Sequence, residues 1–181
     1  MSIVMFVDGS LTSSGIAIGQ CEFNTHLPNI MYIERVTTNS KHPLEKRLSH
    51  IFNRVDTLIK EFQVEYMIME EKFLGKSTSV KNALSMGKAD GVIQLAAGLN
   101  NIRVGTFENG QIKFTITGFK HAEKEEVMLK VVDIFKNQPV VLKHIIPEYI
   151  GKKRAPKQDD MADAVAGLYT YNIIPTSIKE A

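Results

Sequence analysis

Apolar and polar residues alternate in short blocks over the first third of the chain. A continuous apolar run from Ile3 to Val7 dominates residues 2–7, which is typical of a strand buried on both faces. The segments 15–23 and 29–38 are further strand-like blocks, and turn-forming residues separate all three. We therefore predict three consecutive strands that pair as a meander.

Beyond residue 40 the hydrophobic spacing changes to steps of three and four, which indicates amphipathic helices between shorter strands. In chain order, the predicted elements are a helix over 43–63, a strand over 64–70, a helix over 79–100, a strand over 102–107, helices over 110–115 and 123–135, a loop containing Pro139 and Pro147, and a helix over 158–171. This order predicts an α/β protein with a mixed sheet and helices on both faces. It is the order of the ribonuclease H-like fold, and 181 residues fit a single domain of that fold, 1–181.

The predicted helix over 79–100 carries a row of small residues. Ala83, Gly87 and Gly91 lie four positions apart, so they share one face of that helix. Small side chains let a neighbouring element approach closely. We therefore interpret the row as a packing surface rather than as part of a functional site.

Composition and charge narrow the function classes only slightly. A hydrophobic content of 44% and a charged content of 23% are ordinary for a soluble globular protein. There is no apolar run long enough to span a bilayer, and Asp8 interrupts the apolar start. Cys21 is the single cysteine, so we expect no disulfide, no zinc site, a cytoplasmic location and no membrane partner. A formal net charge of +2 neither requires nor excludes nucleic acid.

Four acidic residues are the candidate functional residues. Asp8 closes the first apolar run, and Glu70 closes a second one over 66–69. Asp160 and Asp163 lie three positions apart near the start of the last predicted helix, so they share a helical face. A carboxylate at the end of a buried strand is costly unless something pairs with it. Two such strand ends and an acidic pair at a helix start are the pattern expected of a carboxylate cage for Mg²⁺.

The acids of the last helix also have a structural interpretation. Acids in the first turn of a helix, such as Asp159 and Asp160, offset the helix dipole and cap free N–H groups. Asp163 lies deeper, among alanines, where capping does not explain it. A metal role and a capping role therefore both stay open for the first-turn acids.

The strand acids are ambiguous for a different reason. Asp8 stands directly before Gly9, so it could be a turn residue. Both faces of the strand over 64–70 are apolar, so alternation alone does not decide whether Glu70 or Glu71 points into a site.

Five segments of the chain carry recognisable motifs. They are Val7-Asp8-Gly9-Ser10-Leu11-Thr12-Ser13-Ser14-Gly15, Met69-Glu70-Glu71-Lys72-Phe73, Gly87-Lys88-Ala89-Asp90-Gly91-Val92, Gln111-Ile112-Lys113 with Gly118 and Ala122-Glu123-Lys124, and Asp160-Met161-Ala162-Asp163-Ala164-Val165-Ala166. Taken together and in order, they resemble the RuvC family of Holliday junction resolvases. The first is similar to the family's Asp-x-Gly/Ser-x-Thr-x-x-Gly turn, the second to Ile-Glu-x-x-Phe and the third to Gly-x-Ala-x-Gly-Val. The fourth is similar to Gln-Val-Lys…Gly…Ala-x-Lys and the fifth to Asp-x-Ala-Asp-Ala-Leu-Ala.

The resemblance implies a function and selects among the acids. Its spacing favours Glu70 over Glu71 and Asp160 over Asp159. It implies that two Mg²⁺ ions, which Mn²⁺ can replace, are held by the residues Asp8, Glu70, Asp160 and Asp163. The implied activity is a structure-selective endonuclease that nicks branched DNA, with four-way junctions as the partner. The implied working unit is a homodimer that makes paired cuts, in the cytoplasm of a bacterium or of a phage-infected cell.

The chain also departs from the family pattern. Gly9-Ser10 stands where the bacterial proteins usually have Pro-Gly, and two further acids, Glu125 and Glu126, follow Lys124. The basic loop before the last helix is longer than is usual for the family. These departures indicate a divergent member, of phage type.

Basic residues around the acids are the candidate DNA contacts, because a phosphate backbone requires positive charge beside the metal site. Phe73 matches a family aromatic and would stack on an unpaired base, although it could instead pack at the edge of the core. A solvated surface is the alternative for each lysine. The predicted DNA contacts are Phe73, Lys72, Lys76, Lys81, Lys113, Lys152, Lys153 and Arg154.

Lys124 matches a second family lysine, and we add it to the predicted catalytic residues. An ammonium group there would stabilise charge that develops on the scissile phosphate. The alternative is an ion pair with Glu123 or with an acid of a neighbouring helix.

Two other function classes are consistent with parts of the sequence. A nucleotide-binding ATPase of the actin/hexokinase type uses a similar Asp-Gly turn, but that class needs two such domains and this chain has one. A non-catalytic junction-binding module would keep the fold and the basic residues without cleaving DNA.

Overall fold

The computed structural model describes residues 1–22, 27–72, 79–152 and 157–174. The strands are β1 Ser2–Asp8, β2 Ser13–Cys21, β3 Asn29–Thr37, β4 Tyr66–Glu71 and β5 Arg103–Glu108. The α-helices are α1 Leu44–Phe62, α2 Val80–Leu99, α3 Asn109–Thr117, α4 Lys124–Ile134, α5 Pro139–His144 and α6 Asp159–Ile173, and a single 3-10 turn covers Pro147–Tyr149.

The five strands form one mixed sheet in the order β3-β2-β1-β4-β5. The first three are antiparallel neighbours, whereas β4 runs parallel to β1 and β5 runs parallel to β4. β1 is central and its residues 4–7 are fully buried, because apolar side chains there point alternately to both faces. The predicted meander and the predicted mixed sheet are confirmed.

Two hydrophobic clusters cover the two faces of the sheet. On one face, Phe6 and Ile68 pack with α3, α4 and α6. On the other face, Met5 and Met67 pack with α1 and α2. Helices on both faces were expected, and the strand alternation of β1 and β4 explains which side chains enter each cluster. In the residues that the structure describes, none of the helices combines the length and apolar character needed to cross a lipid bilayer.

One predicted loop is wrong, and one predicted packing surface faces no described element of this chain. The segment with Pro139 and Pro147 contains α5 and the 3-10 turn, because proline is accepted in the first turn of a helix, where its missing N–H costs nothing. A Cβ added at Gly87 or Gly91 would meet no described atom within 4 Å. The small-residue row of α2 therefore does not pack on another described element of this chain.

Helix α6 lies at backbone contact distance from the sheet, because glycines line its path. A Cβ at Gly15 of β2 would fall 1.8 Å from the carbonyl oxygen of Asp160, and a Cβ at Gly167 would fall 2.2 Å from the ring of Phe6. No side chain larger than hydrogen fits at either place. These two glycines set how deeply the acidic start of α6 sits over β1 and β2.

Replacing Gly167 by alanine should push α6 away from Phe6 and destabilise the fold by about 1–3 kcal/mol, the usual cost of overpacking a core. Urea unfolding followed by circular dichroism measures the change. Gly110→Ala in α3 is the matched control, because the only described atom that a Cβ there would meet within 4 Å is Lys120 Cβ at 4.0 Å, and alanine favours a helix over glycine by about 1 kcal/mol. Equal stability changes in the two variants would contradict the close-packing argument.

Candidate active site

The register of the sheet brings acids from separate segments to one edge. Val7 pairs with Met69 across the parallel strands β1 and β4, so the next residues, Asp8 and Glu70, stand side by side. Asp8 also pairs with Gly15 of β2, on which the backbone of α6 rests. The start of α6, with its acidic pair, is therefore held next to the ends of β1 and β4.

The strand alternation decides between the two glutamates of β4. Ile68 belongs to the cluster on the α6 face, and side chains two positions apart point to the same face. Glu70 consequently faces α6 and is half-buried, whereas Glu71 is exposed. The structure thus places Glu70, the residue that the family spacing favoured, on the side of the acidic pair.

The ammonium group of Lys72 bridges the two strand-end acids. Its Nζ lies 2.5 Å from Asp8 Oδ1 and 2.8 Å from Glu70 Oε2, and all three side chains are about 15% exposed. Asn109 at the start of α3 donates a hydrogen bond of 2.8 Å to the other oxygen of Glu70. Lys72 is therefore the positive charge that lies between the carboxylates of Asp8 and Glu70.

Burial raises the pKa of the Asp8 carboxyl, and the nearby Glu70 adds to the effect while Lys72 opposes it. Burial alone would also raise the pKa of Glu70, but its hydrogen bond from Asp8 and the charge of Lys72 outweigh it, so that pKa is lowered. Two carboxyl groups this close share negative charge unequally. A proton or a cation between them relieves the repulsion.

Asp160 is held by two residues of the meander. Ser13 at the start of β2 donates a short hydrogen bond to Asp160 Oδ2, and Arg35 of β3 donates to the same oxygen at 3.2 Å. Arg35 also bonds Ser13 Oγ at 2.7 Å. Because Arg35 pairs with Gly15 in the sheet register, it lies in the same row as Asp8. Asp160 is thus neutralised from the side of β3.

Asp163 sits one turn deeper than Asp160 and is half-buried. Its side chain makes no hydrogen bond to any residue that the structure describes. Burial raises the pKa of Asp163 to about 7, an effect that Lys124 opposes and that Glu70 and the neighbouring aspartates increase. A desolvated carboxylate surrounded by other acids is stabilised by an added cation.

Lys124 at the start of α4 reaches the start of α6. Its Nζ lies 2.6 Å from Asp159 Oδ2, and the side chain is 61% exposed. The alternative of an ion pair with an acid of a neighbouring helix therefore describes its contact in this structure. The charge of Lys124 also acts on Asp160 and Asp163, so the lysine borders the acidic site from the solvent side.

The donor set fits a divalent metal, although the acids do not converge in this structure. Within residues 1–22, 27–72, 79–152 and 157–174, no group of three or more Asp, Glu, His or Cys side chains is close enough to hold an ion. Lys72 and Arg35 instead contact the carboxylates. Carboxylate oxygens are the ligands that Mg²⁺ prefers, and Asp163 is left without a partner in the described chain. The residues therefore suit Mg²⁺ in chemistry and charge.

The predicted DNA contacts are scattered around this edge. Lys72 is inside the site, Lys81 is exposed on α2, Lys113 is half-buried on α3, and Lys152 is exposed before α6. Their contact with DNA stays a prediction. The predicted contacts Phe73, Lys76, Lys153 and Arg154 lie outside the described residues.

Three residues that the sequence analysis missed also contact or border the site: Arg35, Asn109 and Asp90. Arg35 and Asn109 bond the acids directly. Asp90 of α2 has a buried oxygen, Oδ1, that finds no hydrogen-bond partner among the described residues. Of these three residues, only Asp90 could have been found from the sequence, because it is a charged residue between apolar positions of α2 such as Ala89 and Ile93. The others depend on strand register and helix placement.

Asp163→Asn removes a carboxylate that burial disfavours. In metal-free protein, the contribution of Asp163 to stability falls as the pH rises from its ordinary pKa of 3.8 to the raised value of about 7, because the folded state holds the proton more tightly. At about pH 8, D163N should therefore raise the free energy of unfolding by on the order of 2 kcal/mol, which is about 4–8 °C in Tm.

Scanning calorimetry with a chelator measures this difference. At about pH 3 it should almost disappear, because Asp163 is then mostly protonated in the unfolded chain as well. Asp133→Asn, at an exposed position of α4, is the control and should leave Tm within about 1 °C at either pH. A lower Tm for D163N at the higher pH would contradict the desolvation argument.

Comparison with known proteins identifies the family. The model of the family described as crossover junction endodeoxyribonuclease RuvC matches residues 4–168. RuvC of Carboxydothermus hydrogenoformans is 35% identical over 125 residues, which are 69% of this chain and 68% of that protein. RuvC of Caldicellulosiruptor saccharolyticus is 27% identical over 175 residues, 97% of this chain and 95% of that protein.

The fold agrees with the sequence match. The structure of Thermus thermophilus RuvC in complex with Holliday junction substrate superposes with a TM-score of 0.74 at 26% identity, covering 94% of this chain and 93% of that one. The predicted ribonuclease H-like fold and the predicted resemblance are both confirmed. The chain belongs to the crossover junction endodeoxyribonuclease RuvC family.

Proposed function

We propose that this protein is a metal-dependent endonuclease that nicks branched DNA, with four-way junctions as its substrate. The observation that carries the proposal is the meeting of acids from β1, β4 and α6 at one sheet edge, in a chain whose family match spans residues 4–168. The Thermus thermophilus relative bound to a Holliday junction supports the same substrate class.

The proposed metal ligands are Asp8, Glu70, Asp160 and Asp163. Mg²⁺ or Mn²⁺, when bound, supplies an activated water and stabilises charge on the scissile phosphate. Asp8 and Glu70 end adjacent buried strands, so their carboxylates are fixed in position before any ion arrives. Two ions per site are part of the proposal, because one carboxylate pair lies at the strand ends and the other lies on α6.

The roles of the surrounding residues follow from their contacts. Lys124 has an exposed side chain on the rim of the site, so its ammonium group can exchange Asp159 for a phosphate oxygen. Arg35 and Ser13 orient Asp160 from the side of β2 and β3. The lysines at positions 81, 113 and 152 are proposed to contact the DNA backbone. The proposed location is the cytoplasm of a bacterium or of a phage-infected cell.

A homodimer is proposed on the basis of helix α2. Its outer face exposes large apolar side chains to solvent, and small residues lie between them. Such a face would let a second helix pack closely. The exposed apolar residues of this face are Val80, Leu84, Leu95 and Leu99, and the glycines with open space above them are Gly87, Gly91 and Gly98. A second copy of the chain is the occupant that two cuts on one symmetric junction require.

Asp163→Asn should abolish cleavage while leaving DNA binding intact, because the amide keeps the shape of the side chain but cannot balance the charge of a metal ion. We expect the rate of Mg²⁺-dependent nicking of a labelled four-way junction to fall by about 100-fold or more. Gel mobility shift without metal should give an unchanged Kd for the junction. Asp133→Asn, on the exposed side of α4, should cleave as the wild type does.

The same assay separates the alternatives. Nicking that survives D163N unchanged would contradict the proposed metal ligands. A wild-type protein that binds junctions but never nicks them would be a non-catalytic binding module. Tight ATP binding without junction binding would indicate a nucleotide-binding protein instead.

Leu95→Glu should dissociate the dimer, because it puts a charge into the proposed apolar contact. Analytical ultracentrifugation should show a dimer for the wild type and a monomer for L95E, with equal helical content by circular dichroism. Leu129→Glu on α4 is the matched control, since both leucines are 54% exposed, and it should stay dimeric. A wild-type monomer, or a dimeric L95E, would contradict the proposed interface.

A further inference from the structure

Lys72 and Asp90 are two charged residues of this site that the family pattern does not specify. Lys72 is the second unspecified residue of the segment that resembles Ile-Glu-x-x-Phe, and Asp90 is the second unspecified residue of Gly-x-Ala-x-Gly-Val. Lys72 directly follows β4 and Asp90 lies in the middle of α2. The charge of Lys72 acts on Asp90, so the fold places the two residues near each other.

The ammonium group of Lys72 contacts the two carboxylates that the proposed metal would bind. It contacts Asp8 at 2.5 Å and Glu70 at 2.8 Å, and its side chain is only 16% exposed. Burial on its own lowers the pKa of Lys72, but the charges of Asp8 and Glu70 outweigh it and raise the pKa. Lys72 consequently stays a cation, and a cation competes with Mg²⁺ for the same oxygens.

Asp90 offers the displaced ammonium group a second acceptor. Its Oδ1 is buried and has no hydrogen-bond partner among the described residues, a state that costs free energy unless a donor arrives. The charge of Lys72 already acts on Asp90, opposing the effect of burial on the pKa of that carboxyl. Lys72 has a long flexible stem, so a change of rotamer can redirect its Nζ.

Gly9 explains how the Asp90 carboxyl comes to lie against the residue that follows Asp8. A Cβ at Gly9 would fall 2.5 Å from Asp90 Oδ1 and 2.9 Å from Ile93 Cδ1. A side chain at position 9, including the proline usual in the bacterial proteins, would fill that space. The departure at Gly9 thus makes room for Asp90 beside the metal ligands.

We propose that Lys72 is an exchangeable internal cation, which neutralises Asp8 and Glu70 in the metal-free protein and moves to Asp90 when divalent metal binds. This inference rests on the proposed function, because it assumes that Asp8 and Glu70 are metal ligands. The exchange keeps the buried carboxylates neutralised in both states. It also sets the metal affinity of the strand-end pair, since an ion that binds Asp8 and Glu70 must first displace Lys72.

Isothermal titration of the full-length, metal-free protein with MgCl₂ and with MnCl₂ tests the exchange. Lys72→Met keeps the stem but removes the competing charge, so we expect the Kd for metal to fall by about 10-fold. Asp90→Asn removes the acceptor for Lys72, so the Kd should rise by about 3- to 10-fold. Lys88→Met, an exposed lysine of α2, and Asp133→Asn are the matched controls and should bind metal as the wild type does.

The double variant K72M/D90N decides whether Asp90 acts through Lys72. If it does, Asp90→Asn should change the Kd by less than about twofold in the K72M background. An equal weakening in both backgrounds would mean that Asp90 binds the metal or acts by charge alone, and would overturn the proposal. Metal affinity unchanged or weakened in K72M would also overturn it. Thermal unfolding without metal checks that each variant is folded.

Junction nicking by the same samples separates this inference from the proposed function. A wild type that nicks junctions, together with variants whose metal affinity does not change, would overturn the exchange alone. A wild type that neither binds metal nor nicks junctions would overturn both.

Discussion

A carboxylate removed from water needs positive charge beside it, and this requirement organises the edge of the sheet. Asp8 and Glu70 end strands that are buried on both sides, so neither can turn to bulk solvent. Lys72 neutralises that pair, and Arg35 with Ser13 neutralises Asp160. Asp163 makes no hydrogen bond to a described residue, and burial raises its pKa to about 7 although the charge of Lys124 opposes that shift. The site is stable only to the extent that cations occupy it.

Helix α6 brings its acids to the edge of the sheet because it packs at backbone contact distance from the strands. Gly15 and Gly167 leave no space for a side chain between the helix and the strands beneath it. That contact serves the core and the site together, because Phe6 under Gly167 anchors the helix while Gly15 receives the backbone at Asp160. Small residues that carry no chemistry themselves therefore position the acids of this helix.

Asp163 and Asp90 are buried acids that are kept in place at a cost to the fold. Acids of this kind are retained where a ligand or a reaction uses them. The proposed exchange of Lys72 between the metal ligands and Asp90 would reduce that cost in both states of the site. It would also make Gly9, Lys72 and Asp90 one functional unit, although they are distant in the sequence.

The sequence by itself determined the strands and the main helices, and it predicted four acids as the candidate site. Hydrophobic spacing shows which side of an element avoids water, so each strand and long helix could be predicted. The spacing of the family motif favoured Glu70 over Glu71. Only the tertiary structure decided the partners of those acids. Arg35 reaches Asp160 because β3 pairs with β2 in one register, and Asp90 reaches the site because Gly9 leaves it room. Such distances depend on register and on helix placement, which no periodicity within a single element encodes.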